Sequence, residues 1–268
     1  MDDLVNNFNK SVMTSSIVLH DFHKEKFGHK KWIEYCVELM SQYGLVPTHM
    51  GISAPSLKSE KMNAYEREFK KFDKIYSQSI TSICVQAVRH GGTETPENDL
   101  FSCNFDIDLK RKRTTFVLTI SDSVRLLSND EIKKIISKLC EFFNPSYGYY
   151  YKRLATKGPR WYACGVPVGL ELDDLEYAHI DMWGEKFRIS NIYQIGDLRD
   201  IYRMNLVMDK HLNREIASNM TLRSFIESNP IHGKLEYIDD KRCIWLIEDE
   251  NTTVIRDVIK SSGVIIAG

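Results

Sequence analysis

The sequence predicts an α+β fold with a mainly antiparallel sheet and helices packed on it. Residues 100–109 alternate apolar and polar side chains, and residues 114–121 form a second segment typical of a strand. Two such neighbouring segments indicate an antiparallel hairpin with one buried face and one solvated face. Ser128 and Glu131 then form a capping box ahead of an apolar stripe with helical spacing, which predicts a helix beginning there.

The remaining elements of the first half follow from the same periodicities. Trp32, Cys36, Leu39 and Met40 recur at helical spacing and Gly44 follows them, so a helix is predicted to end there. The other predicted elements are a strand at 14–20, an extended segment at 45–52, a helix at 58–77 and a strand at 80–90.

The second half is less regular. Residues 147–170 are rich in glycine and aromatic side chains and are predicted to be extended. The further predictions are helices at 171–180, 221–228 and 254–259, strands at 199–208 and 264–266, and a hairpin of 234–238 with 242–247.

The domain organisation is predicted to be one compact unit, residues 1–268, with a soft boundary near residues 144–146. Asn144-Pro145 ends the capped helix, because a residue before proline is biased away from helical conformation. The boundary would divide the chain into halves of similar size, 1–145 and 146–268. The sequence also leaves a homodimer open.

Composition limits the function classes. The chain has 268 residues, a formal net charge of −1 and 43% hydrophobic residues. A chain without a strong positive charge argues against general nucleic-acid or membrane-surface binding. No N-terminal segment reads as a secretory signal and no apolar run is long enough for a membrane span, and the scattered cysteines are typical of buried thiols in a reducing compartment. A cytoplasmic protein without a cofactor is therefore expected.

Asp106-x-Asp108-x-Lys110 is one candidate site, because alternation along a strand places all three side chains on one face. Two carboxylates and a lysine could hold Mg²⁺ and orient water in a metal-dependent enzyme acting on nucleic acid or a nucleotide. The same face carries Ser102 and Asn104, so the solvated side of a hairpin is the alternative interpretation.

Residues 147–161 are the second candidate, because aromatic side chains alternate there with cations. Such a segment could be a packed strand, could stack bases in a nucleotide or single-strand binder, or could supply interface hot spots. The protein-interface hypothesis selects the exposed members of a set consisting of Tyr149, Tyr150, Arg153, Arg160 and Trp161, with an acidic rim of Asp173, Asp174 and Glu176.

A family resemblance covers residues 147–268. Its pieces are Tyr147-Gly-Tyr149, Lys157-Gly-Pro-Arg-Trp-Tyr-Ala-Cys-Gly165, Leu198-Arg-Asp-Ile-Tyr-Arg-Met-Asn-Leu206, Leu222-Arg-Ser-Phe-Ile226 and Ile244-Trp-Leu-Ile247. In their order and spacing they resemble bacterial immunity proteins of polymorphic-toxin and type VI secretion systems, particularly the immunity-protein-52-like group. The resemblance implies an α+β, non-enzymatic protein that binds and neutralises a cognate protein toxin. It carries over no binding residue. The segment from Arg199 to Asn205 is expected to specify the fold, with Asn205 satisfying a turn or a neighbouring strand.

Overall fold

The computed structural model describes residues 12–21, 28–55, 62–75, 80–89, 98–108, 113–169, 172–189, 193 and 195–266. Its strands are β1 (Met13–His20), β2 (His49–Ser53), β3 (Met62–Ala64), β4 (Ser82–Val88), β5 (Asp99–Asp108), β6 (Arg113–Ser121), β7 (Tyr147–Leu154), β8 (Met204–Met208), β9 (Glu215–Ala217), β10 (Met220–Thr221), β11 (Lys234–Tyr237) and β12 (Arg242–Leu246). Its α-helices are α1 (His29–Gln42), α2 (Tyr65–Ile75), α3 (Asn129–Phe143), α4 (Pro159–Ala163), α5 (Asp174–Ile189), α6 (Asp209–Leu212), α7 (Leu222–Ser228) and α8 (Thr252–Ile259).

These elements form an α+β fold with a mainly antiparallel sheet, which confirms the predicted class. Ten strands make one sheet in the order β11-β12-β8-β7-β1-β6-β5-β4-β2-β3, and β9 pairs with β10 in a separate ribbon. Pairs such as β5 with β6 and β11 with β12 run antiparallel in continuous register.

Two compact units divide the chain. Unit 1 comprises Met1–Ser16, Phe22–Asn144 and Lys152–Arg160, and unit 2 comprises Ile17–Asp21, Pro145–Tyr151 and Trp161–Gly268. Each unit consists of three separate segments of the chain, so the units do not correspond to the predicted halves 1–145 and 146–268 in a simple way. The single-unit organisation and the boundary near residues 144–146 stay predictions.

The core of unit 1 is an aromatic cluster between helices and sheet. Trp32 of α1 meets Phe116 of β6 edge-on at 5.6 Å between ring centroids, and Phe143 of α3 lies 4.6 Å from Phe116. The capping box at the start of α3 is confirmed, because the Ser128 hydroxyl accepts from the Glu131 amide and the Glu131 carboxylate accepts from the Ser128 amide. Local sequence signals therefore placed this helix correctly.

Two expectations for unit 1 are wrong. Ser102 and Asn104 were predicted to face solvent with Asp106, but they are 2% and 0% exposed, so the polar side of β5 is buried there. The predicted helix at 58–77 begins only at Tyr65, because Met62–Ala64 pairs with β2 instead. Both errors arise from contacts distant in sequence.

In unit 2, the C-terminal hairpin is confirmed. Asp239 holds its turn by accepting hydrogen bonds of 2.9 Å from the amides of Lys241 and Arg242. The 199–208 strand prediction holds only for β8, and a single parallel bridge between Leu198 and Ile265 replaces the predicted last strand.

The segment after β7 also departs from the prediction. Residues 155–157 form a 3₁₀ turn and residues 159–163 form helix α4, where extended chain was expected. The predicted helix at 171–180 is present as α5 and continues to Ile189.

Candidate protein-binding surface

Burial separates the predicted interface residues into two groups. Tyr149 and Tyr150 are 1% and 2% exposed, and Arg153 is 9% exposed with its Nε donating to the Lys157 carbonyl at 2.9 Å. These three residues lie in β7 within the sheet, so they cannot anchor a partner or stack bases on a surface. Their burial favours the packed-strand interpretation of residues 147–161 at these three positions.

The other predicted residues are more accessible. Trp161 is 37% exposed, and Asp173 and Asp174 lie exposed at the start of α5. Asp173 caps this helix by accepting from the Glu176 amide at 2.8 Å. Glu176 itself is half-buried, because it precedes the buried Ile180 by one helical turn.

Unit 2 also exposes large apolar side chains that the sequence reasoning missed. Val166 is 37% exposed, Val168 is 51% exposed, and α5 presents Leu175 at 68% and Met182 at 36%. Leu175 and Met182 are seven residues apart, so they share one side of the helix. We call the set Trp161, Val166, Val168, Asp173, Asp174, Leu175 and Met182 the 161–182 surface.

An acidic stripe borders the apolar side of α5. Asp174 and Asp181 are seven residues apart and Glu185 follows one turn later, so the three carboxylates are aligned next to the Leu175–Met182 side. An apolar strip with an acidic border favours a partner that is apolar at its centre and basic at its rim.

A close contact between two glycines packs α5 against the chain that follows α4. Gly165 has φ +69°, and a Cβ placed there would lie 2.4 Å from the Trp183 ring and 2.6 Å from the Gly184 Cα. A Cβ on Gly184 would lie 2.2 Å from the Gly165 carbonyl oxygen. Only glycine at both positions permits this approach, which fixes Val166 and Val168 beside α5.

Below this contact lies Arg199, which is 1% exposed. Its guanidinium carbon stands 3.8 Å from the centre of the Trp183 ring and 3.9 Å from that of Tyr162. One guanidinium nitrogen donates to the Tyr162 carbonyl at 2.7 Å and the other to the Tyr149 hydroxyl. Arg199 thus joins β7, α4 and α5 through a planar cation stacked between two rings.

No ion pair between Arg199 and a carboxylate occurs in the described part of the chain. Tyr149 does not supply a negative charge either, since burial raises its pKa well above the usual value, with Arg199 opposing the rise. Aromatic faces and neutral oxygens therefore stabilise a fully buried cation. Its place under the 161–182 surface makes it a structural support.

Asn205 also has the predicted role in specifying the fold. Its side-chain amide donates to the Tyr202 carbonyl at 2.7 Å, and its oxygen accepts from the Tyr202 amide at 3.4 Å. Asn205 is fully buried, so it satisfies a turn that would otherwise leave backbone groups without partners.

The alternative metal site has different surroundings from those expected. The Asp106 carboxylate lies 3.8 Å from the Arg160 guanidinium, and Asp108 is half-buried. Lys110, the third member of the pattern, lies outside the described residues. Across the part of the chain that the structure describes, no group of three or more His, Cys, Asp or Glu side chains could hold a metal ion.

The thiols match the expectation of buried cysteines. Five of the six are buried and Cys164 is half-buried. Burial raises the pKa of Cys243 to about 11, so it is protonated at neutral pH. None of the described helices is both long and apolar enough to cross a membrane.

Comparison with known proteins finds similarity in fold alone. No protein-family model matches the chain, and no curated protein matches it by sequence. A solved structure described as the Pseudomonas aeruginosa T6SS protein PA0821 is similar, with a TM-score of 0.60 and 10% sequence identity. The alignment covers 96% of this chain and 74% of that one. Nearly the whole chain therefore shares the fold of that protein.

Proposed function

We propose that this chain is a cytoplasmic immunity protein that binds and neutralises a cognate bacterial toxin, without catalysis, through the 161–182 surface. The observation that carries the proposal is the exposure of Leu175 and Met182 on one side of α5, next to an acidic stripe, together with the exposure of Trp161. Tryptophan is one of the residue types that supply most of the binding energy in protein interfaces, and the buried centre of an interface is usually apolar. The acidic residues would speed association with a basic toxin.

The fold supports a role in a secretion system. The similar structure is described as a protein of the type VI secretion system, and the sequence resemblance of residues 147–268 is to immunity proteins of such systems. The first likeness rests on backbone geometry and the second on the residue pattern. The immunity role and the immunity-protein-52-like assignment rest on the residue pattern of residues 147–268.

The support for this surface is physical as well. A specific, stable interface buries roughly 1,600 Å² in total, about 800 Å² on each partner. The glycine contact at Gly165 and the stacked Arg199 fix the surface before binding, which lowers the entropy lost on association.

The test is binding and growth rescue with a candidate toxin sought among the products of the neighbouring genes. Leu175→Asp combined with Met182→Asp should weaken the complex by about 100-fold or more, since two buried anchors would become charged. The matched control combines Val254→Asp with Val258→Asp, two side chains that are 55% and 54% exposed on α8 of the same unit.

The control chain should bind and protect like the unsubstituted protein. Equal affinity losses for both double variants would refute the assignment of the surface. An effector that remains toxic in the presence of the unsubstituted chain, with no complex formed, would refute the proposed function itself.

A further inference from the structure

A groove of about 560 Å³ follows the terminal strand of the ten-stranded sheet, β11. It lies within unit 2, in a part of the chain that the 161–182 surface does not include. The residues that line it are Ile226, Glu227, Pro230, Gly233, Lys234, Leu235, Tyr237, Leu246, Glu248 and Asn251.

The outer edge of β11 presents backbone groups to this groove. The Ile238 amide donates to the Arg242 carbonyl at 2.9 Å, so the backbone of Ile238 faces β12. Because such residues alternate along an antiparallel ladder, Lys234 and Glu236 also bond β12, whereas Leu235 and Tyr237 point their N–H and C=O groups outwards. In the described residues, no strand pairs with this edge.

The walls of the groove are apolar and fixed. Ile226 is 2% exposed and Leu246 is 7% exposed, and both contribute to its surface. The Tyr237 hydroxyl accepts from Arg223 at 2.6 Å, and Arg223 also bonds the Asp209 carboxylate at 2.7 Å. These bonds hold the Tyr237 ring at the rim, so the groove is formed before any ligand enters.

The charge of the groove is negative. Glu227 and Glu248 line it, and the only lysine among its lining residues, Lys234, is neutralised by Glu236 at 2.6 Å. Glu227 has a guanidinium at 3.9 Å, and no ion pair of Glu248 occurs among the described residues. An occupant with positive side chains is therefore favoured over a neutral or acidic one.

We propose that β11 accepts an additional strand from a protein partner, namely an extended segment in which basic side chains alternate with apolar ones. The backbone of the segment would bond the outward groups of Leu235 and Tyr237. Its apolar side chains would lie beside Ile226, and its lysine or arginine side chains would be attracted to Glu227 and Glu248. This inference does not require the partner to be a toxin.

The test uses the full chain and a synthetic peptide, N-acetyl-(Lys-Val)₃-amide, followed by NMR of the isotope-labelled protein. Titration to about 2 mM should shift the amide signals of Leu235 and Tyr237 in a saturable way. Two control peptides separate the contribution of charge from that of backbone hydrogen bonding. The (Glu-Val)₃ peptide reverses the charge, and a (Lys-Val)₃ peptide N-methylated at alternate residues cannot donate backbone hydrogen bonds to the outer edge of β11. Each should bind at least about tenfold more weakly.

A matched pair of protein variants tests the charge of the groove. Glu248→Lys should weaken (Lys-Val)₃ binding by about tenfold, whereas Glu250→Lys, which is exposed but does not line the groove, should change it by less than about threefold. Unshifted Leu235 and Tyr237 signals, or equal binding of the N-methylated peptide, would overturn strand addition. Shifts of these signals with protein concentration alone would identify a second copy of the chain as the occupant and overturn the proposal.

Discussion

Replacement of Gly184 by alanine separates the effect of helix propensity from that of packing, because the two predict changes of opposite sign in the free energy of unfolding. Alanine in the interior of a helix is favoured over glycine by about 0.8–1.0 kcal/mol, so propensity alone predicts a more stable protein. In the structure the new Cβ would lie 2.2 Å from the Gly165 carbonyl oxygen, a backbone atom that no side-chain rotation can move away. Overpacking typically costs 1–3 kcal/mol, and so short a contact belongs to the upper part of that range.

We therefore expect Gly184→Ala to lower the free energy of unfolding by roughly 1–2 kcal/mol net, measured by urea denaturation at neutral pH. Gly263→Ala is the control for glycine at positive φ without crowding, since its φ is +72° and a Cβ there has nothing within 4 Å. Gly165 has the same backbone conformation as Gly263, but a Cβ there would lie 2.4 Å from the Trp183 ring. Gly165→Ala should therefore be more destabilising than Gly263→Ala. A Gly184→Ala protein as stable as the unsubstituted chain would refute the glycine contact.

The remaining predictions concern buried charge, acid stability and capping. Arg199→Lys should destabilise by about 2–4 kcal/mol in urea titrations, because an ammonium cannot stack between two rings and bond two oxygens; an unchanged midpoint would contradict the stacked geometry. Burial lowers the pKa of His211 to about 3, whereas its value in the unfolded chain is about 6.5. The free energy of unfolding should therefore fall by about 1.4 kcal/mol for each pH unit as the pH drops from about 6.5 to about 3. His211→Asn should remove this pH dependence. Ser128→Ala should cost about 1 kcal/mol in thermal or urea unfolding by removing the α3 cap, and a loss below about 0.3 kcal/mol would argue against the capping box.

Local signals made part of the fold predictable from sequence. The capping box at Ser128 and the turn at Asp239 both act within three residues, so their sequence pattern contains the whole interaction. The polar side of β5 required information that no local pattern holds. Alternation placed Asn104 on the same face as Asp106 correctly, but whether that face is covered depends on chain far away in sequence.

The candidate surface was predictable only in part. The acidic residues at Asp173 and Asp174 were identified from the sequence, because carboxylates at a helix start are favoured by the helix dipole and stay solvated. Tyr149 and Tyr150 were placed in the same set, but they point to opposite faces of β7 and both are buried, so both faces of the sheet are covered there. One available signal was missed: a glycine inside a helical pattern, such as Gly184, usually has a packing reason.

The structure separates the residues that hold the 161–182 surface from those that compose it. Gly165, Gly184 and Arg199 are buried and sterically constrained, so substitutions there are expected to cost stability. Leu175 and Met182 are exposed, and substitutions at exposed positions usually change stability by less than about 0.5 kcal/mol. The surface can therefore change its chemistry while the fold stays the same, which is the property that recognition of one particular toxin requires under the proposed function.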